Sequence, residues 1–204
     1  LYASGDTPRR LTTAPKEALT SGSIGIGCPG YGECHSLTIG LGKAHPKRRR
    51  QPMKLITSID DAVATVGSEL GVSDWLDIDQ QRINDFADVT GDHQWIHIDV
   101  ERAKKESPYG APIAHGFLTL SLIPALSKDN FRVENAKLVI NYGLNKVRFL
   151  SAVPVDSRIR VRSELADAVT KDPGTVDLTV RHTIEIDGVE KPAAVAEMIA
   201  RVLF

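Results

Sequence analysis

From residue 53 onward the apolar positions fall into two regimes, helical spacing first and strand-like alternation after it. Ser58, with Asp61 three residues later, has the form of an N-cap followed by an acidic first turn, so a short helix is expected to start there and stop near Gly67. Trp75, Leu76 and Ile78 suggest a strand. Asp79 is placed to cap a helix whose Ile83, Phe86 and Ala87 recur at i, i+3 and i+4, with Gly91 closing it. Asp99 caps a further short helix running through Lys105. After a loop containing Pro and Gly, residues 116–126 are almost wholly apolar, which predicts a helix buried on all sides. Pro124 is expected to kink or shorten it.

The second regime begins at residues 137–149, read as a strand with a bulge at Gly143. Ile159, Val161, Ser163 and Leu165 then alternate with Arg158, Arg160, Arg162 and Glu164, and Val176 through Ile186 alternate in the same way. Asp172-Pro173-Gly174 and Asp187-Gly188 supply the turns, and residues 191–204 a last strand. Antiparallel strands with one apolar face need a cover. The apolar helix is the available one. The expected fold is therefore α+β, a curved antiparallel sheet around one buried helix, with edges that invite a second copy.

Residues 1–52 differ from the rest. They hold eight Lys/Arg against three Asp/Glu, half of the 16 glycines, five of the 11 prolines and both cysteines, without a period long enough to bury a face. Such a stretch is expected to be a disordered leader, of the kind an over-extended gene start would add, ahead of a single domain over 53–204. It has no apolar core of a secretory signal. Cys28 and Cys34 have no second cysteine pair to complete a zinc set, so no metal is expected. The absence of cysteine from 53–204 suits a reducing cytoplasm. A net charge of -1 and 5% aromatic residues argue against a nucleic-acid partner, and no apolar run reaches the length of a membrane span.

Candidate chemistry lies between the helices. Phe86, Thr90-Gly91-Asp92, His97 and Ala114-His115-Gly116 occur in that order, followed by Asn141-Tyr142-Gly143, Lys146-Val147-Arg148-Phe149 and Pro154. These segments resemble the MaoC-like (R)-specific enoyl-thioester hydratase/dehydratase family, which has the hot-dog fold, and in particular its mycobacterial-type single-domain members. The resemblance covers about residues 58–204. It implies Asp92 and His97 as the catalytic pair, an enoyl or 3-hydroxyacyl thioester of coenzyme A or acyl carrier protein as substrate, and a homodimer. Some family members carry a serine on the central helix that bonds the aspartate. Pro124 lies near that position here, so Ser121 or Thr119 would have to substitute.

The residue types suit that chemistry. Hydrating a double bond conjugated to a thioester requires proton transfer from water and to C2, and a stabilised enolate-like oxygen. A histidine and a carboxylate sharing one water can move the protons, without a cofactor. The Gly116 N–H, opening the apolar helix, is the candidate oxyanion donor, glycine there allowing close approach of the substrate. Thr90, Gly91 and His115 are expected to support the site, His93 to be an exposed turn residue, Trp95 a lid over the loop, and His182 a satisfied core histidine. Arg148, Arg158, Arg160 and Arg162 either meet a carrier's phosphates or form a solvated face, the second being favoured. Two other readings share the fold: a hot-dog thioesterase, which places its carboxylate on the helix, and a non-catalytic acyl-CoA-binding or assembly subunit.

Overall fold

The computed structural model describes residues 53–204; the expected leader over 1–52 and its two cysteines lie outside the described residues. Helix α1 (Ile59–Thr65) starts where Ser58 Oγ accepts from the Asp61 amide. Helix α2 (Gln80–Thr90) starts at Asp79, whose carboxylate accepts from the Arg82 amide, and ends at Gly91 with φ 75° and an N–H donated to Ala87 O. Gly91 takes the left-handed cap that only a residue without Cβ adopts at little cost. Asp99 caps α4 (Val100–Glu106). Between them lies a single helical turn, α3 (Trp95–Ile98), too short for any period to reveal.

The long strands are β5 (Leu138–Phe149), β6 (Ser157–Asp172), β7 (Thr175–Ile186) and β8 (Ala194–Leu203). With β2 (Glu69–Val72) they form the order β2-β6-β7-β8-β5, and β3 (Leu76–Ile78) also pairs with β6. All pairings in this sheet are antiparallel. The register of β5 on β8 shifts between Asn141 and Gly143, at the expected bulge. A separate parallel pair, β1 (Lys54–Ile56) with β4 (Phe131–Val133), was not legible in three-residue strands.

The inner face of β6 carries Ile159, Val161 and Leu165, all fully buried, as the alternation requires. Its outer-face arginines are bound to carboxylates: Arg158 pairs with Asp187, Arg160 with Glu185, and Arg162 with Glu185 and Glu69. The solvated-face reading holds for those three. Two apolar clusters fill the inner face. One joins Leu118, Ile123 and Leu126 to Ile159, Val161, Ile184 and Ala194. The other joins Ile56, Ala62 and Leu70 to Leu165, Val176, Leu178 and Val202.

At the inner face a polar chain runs from Asn130, whose Nδ2 donates to Val161 O and Ser163 Oγ, on to His182, whose Nδ1 lies 3.0 Å from Ser163 Oγ. His182 is the satisfied core histidine expected of it. Gly71 is required here, because at φ 150° a Cβ would come within 3.0 Å of the Asn130 backbone.

Two expectations are corrected. The apolar stretch is two short helices, α5 (Gly116–Ser121) and α6 (Ile123–Ser127), broken at Leu122. Pro124 stands in the first turn of α6, where its missing N–H is harmless, and could not have continued α5. Nor is the stretch buried on all sides in one chain: Phe117 is 70% exposed. Its ring lies 6.1 Å from that of Phe149 in β5, a strand exposed along nearly its whole length. Among the described residues no helix is long and apolar enough to cross a membrane.

Candidate active site

The α2 C-terminus sets the first half of the site. Thr90 Oγ1 donates to Phe86 O at 2.7 Å and also lies 3.5 Å from the Asp92 amide. With the left-handed Gly91, this turns the chain so that Asp92 leaves the helix and remains exposed. Thr90 and Gly91 are thus turn-makers for Asp92. His93, exposed as expected, pairs with Asp88 at 2.9 Å. Trp95 is covered by the Arg102 guanidinium, 4.3 Å from its ring centre.

His97 lies between α2 and α4, as expected, but on the helical turn α3 and not in an irregular loop, and it is buried. Its Nδ1 is 2.6 Å from the carbonyl oxygen of Ile113. A carbonyl has no hydrogen to give, so Nδ1 donates, and the neutral ring carries its lone pair on Nε2. Burial pushes the His97 pKa below the usual histidine value, more than the Ile113 hydrogen bond raises it. Burial thus favours the neutral ring.

The second half of the site is the start of α5. His115 occupies the N-cap position and Gly116 the first helical residue. Ala114 N–H donates to Val153 O and Ile113 N–H to Ile96 O, which ties this loop to α3 and to the segment after β5. His115 Nε2 lies 2.9 Å from the backbone oxygen of Asp92, and its ring stacks on that of His97. One ligating atom each from Asp92, His97 and His115 lie within 4.8 Å of one another. That distance would also admit a divalent cation, although one nitrogen of each histidine is already engaged with a carbonyl.

A cavity of about 340 Å³ opens beside this group, lined by His97, Gly116, Thr119, Tyr109, Phe149 and Val153 among others. Asp92 is exposed and does not line it, but a carboxylate oxygen of Asp92 lies within 4.8 Å of a ring nitrogen of His97, which does. Glycine at 116 also meets a steric demand of the fold. A Cβ there would lie 3.1 Å from the Phe149 ring, so glycine makes room for that side chain. Neither Thr119 nor Ser121 replaces the helix serine of some relatives: Thr119 Oγ1 donates to His115 O and Ser121 Oγ to Leu118 O. The contribution of His115, a ring joining Asp92 to His97, was visible in sequence only as a His-Gly pair.

The MaoC like domain matches residues 61–186. The chain is 51% identical over 149 residues to 3-hydroxyacyl-thioester dehydratase Z of Mycobacterium tuberculosis, covering 73% of this chain and 98% of that one. It is 41% identical over 148 residues to nodulation protein N of Rhizobium leguminosarum, covering 72% and 92%. Among solved structures, the (R)-hydratase from A. caviae aligns over 66% of this chain and 94% of its own, with TM-score 0.54 and 21% identity. A monoamine oxidase regulatory protein from Archaeoglobus aligns over 74% and 96%, with TM-score 0.60 and 22% identity. These structures share the hot-dog fold. On the domain match and the sequence identity to the mycobacterial dehydratase, the chain belongs to the MaoC-like dehydratase family.

Proposed function

We propose that the chain is an (R)-specific hydro-lyase, adding water across C2–C3 of trans-2-enoyl thioesters and removing it from (3R)-3-hydroxyacyl thioesters in fatty-acid metabolism. What supports this is a buried His97 that lines the cavity with its Nδ1 bonded to Ile113 O, in a group where one ligating atom each of Asp92, His97 and His115 lie within 4.8 Å of one another. Water held between these groups attacks C3. His97 Nε2 takes one of its protons, the Asp92 carboxylate fixes the other hydrogen, and the electron pair of the double bond moves toward the thioester oxygen. The Gly116 N–H, which has no carbonyl inside its own helix, is the donor to that oxygen. The proton on His97 is then returned to C2, so that H and OH are added with nothing left over.

The thioesterase reading is less well supported, because residues 116–127 carry no carboxylate to activate water from the helix. The substrate carrier is coenzyme A or acyl carrier protein. Residues 53–204 form the working domain, to which 1–52 contribute no catalytic group. The working unit is a homodimer, in the cytoplasm. β5 ends the sheet order and exposes Val139, Ile140, Tyr142 and Leu144, and a second copy pairing along it would cover that edge.

The test is loss of enoyl-thioester absorbance over a crotonyl- to dodecenoyl-CoA series. Turnover by the wild-type protein that is abolished by Asp92→Asn supports the reading. Release of free thiol without hydration would replace it with a thioesterase.

A further inference from the structure

His115 is 3% exposed and its Nδ1 is buried with no hydrogen-bond partner. An orphaned buried acceptor is destabilising, and a phenyl ring would fill the same space without one. The imidazole therefore serves something that packing does not. Its ring is held from two sides: Phe86 lies 5.1 Å away, tilted by 51°, and His97 stacks at 3.7 Å with an interplanar angle of 29°. Its Nε2–H reaches across 23 residues to the carbonyl of Asp92, since that carbonyl can only accept. Its own carbonyl accepts from the Thr119 amide and from Thr119 Oγ1, fixing the first turn of α5.

We infer that His115 is a positioning residue for hydration, one side chain that sets Asp92, His97 and the Gly116 amide in register. The inference rests on the proposed function and deepens it. Asp92 leaves α2 on an exposed turn, with Thr90 Oγ1 as a long contact to its amide. The Nε2–H of His115 is the tether that draws this turn toward α5. The stack fixes the plane of His97, whose other constraint is the single bond to Ile113. Gly116 follows His115 directly, so the oxyanion donor shares its backbone. The three groups thus have one common reference. The tautomer is fixed by the tether: in the neutral ring Nδ1 has no proton, and His115 is not itself placed to deliver one from Nε2 to substrate while bonded to Asp92.

Two substitutions separate the parts. His115→Phe keeps a ring against His97 and removes the donor to Asp92; His115→Gln keeps an N–H donor and removes the stack. The expected result for His115→Phe is a fall in kcat of roughly 10- to 100-fold, the scale of a small misplacement of reacting groups, with KM changed little. His115→Gln is expected to recover part of that loss. Equal kcat for wild type and His115→Phe would overturn the inference, as would a loss in kcat that His115→Gln does not relieve. A reading independent of turnover comes from nitrogen NMR of the histidine rings in the full chain. Wild type should show His115 as the Nε2–H tautomer and His97 as Nδ1–H, and His115→Phe should shift the His97 ring nitrogens. Those tautomers with an inactive wild type would leave the register in place and sink the proposed reaction. A His115 protonated on Nδ1 instead would sink the register.

Discussion

His97 donates from Nδ1 to the carbonyl of Ile113 at 2.6 Å, and this one bond leaves the lone pair of the neutral ring on Nε2. The spacing of Asp92 and His97 left open which was acid and which base. The bond makes Nε2 the basic atom, and burial pushes the His97 pKa down, favouring the neutral ring.

Removing either member of the pair should lower hydration by at least ~10²-fold, the usual scale of lost acid–base catalysis. The stability consequences should differ. Asp92→Asn should melt like wild type, because Asp92 is exposed. His97→Ala should lose about 1–3 kcal/mol by stranding the Ile113 carbonyl. Thermal melts beside initial rates check both, and near-normal turnover in either variant removes that residue from the mechanism.

Gly116→Ala should displace the Phe149 ring by a few tenths of an ångström, because the new methyl would otherwise lie 3.1–3.2 Å from three of its atoms. Phe149 is 48% exposed, so the ring can yield and the loss of stability should be small. The rate should fall, since that ring lines the cavity beside the proposed oxyanion donor. Adding Phe149→Leu should return part of it. A double variant slower than the sum of the single effects would show that Phe149 is not what Gly116 accommodates.

His182 makes stability depend on pH. Burial pushes its pKa down to about 4 in the folded chain, against about 6.5 when unfolded. The unfolded state therefore binds a proton that the folded state refuses between those values, and stability must fall as pH drops from about 6.5 towards 4. The loss over that window is on the order of 3 kcal/mol from a shift of this size. His97 contributes with the same sign. Denaturant melts at pH 7 and pH 4.5 should converge partly in His182→Gln, and an unchanged difference would show that other groups carry the dependence.

The β5 edge should hold two copies together. Ile140→Lys with Leu144→Lys, at two positions exposed in a single chain, should block pairing by placing charge along the edge. Sedimentation at micromolar concentration should give twice the chain mass of 22.2 kDa for wild type and less for the variant. A fully active wild-type species of one chain mass would rule the dimer out.

What could be read in advance followed from local rules. Ser58, Asp79, Gly91 and Asp99 mark helix ends because caps answer to neighbours three or four residues away. The alternation from Ile159 to Leu165 marks an inner face because the strand period is two. The β1–β4 pair and the one-turn α3 escaped because they are shorter than any period. Asp92, His97 and Gly116 stood out as residue types in order. The stack of His115 on His97, and the Phe149 ring against Gly116, join residues 18 and 33 positions apart and depend on how the sheet packs. The break at Leu122 was half legible, since Pro124 announced a disturbance without saying on which side it would fall.

Water addition by this chain should give the 3R alcohol. Crotonyl-CoA should be converted by the full chain to 3-hydroxybutyryl-CoA, and the product offered in parallel to a 3R-specific and a 3S-specific dehydrogenase. Signal with the first and none with the second is the expected result. Signal with the 3S-specific enzyme, or hydration that persists at the wild-type rate in Asp92→Asn, would contradict the account.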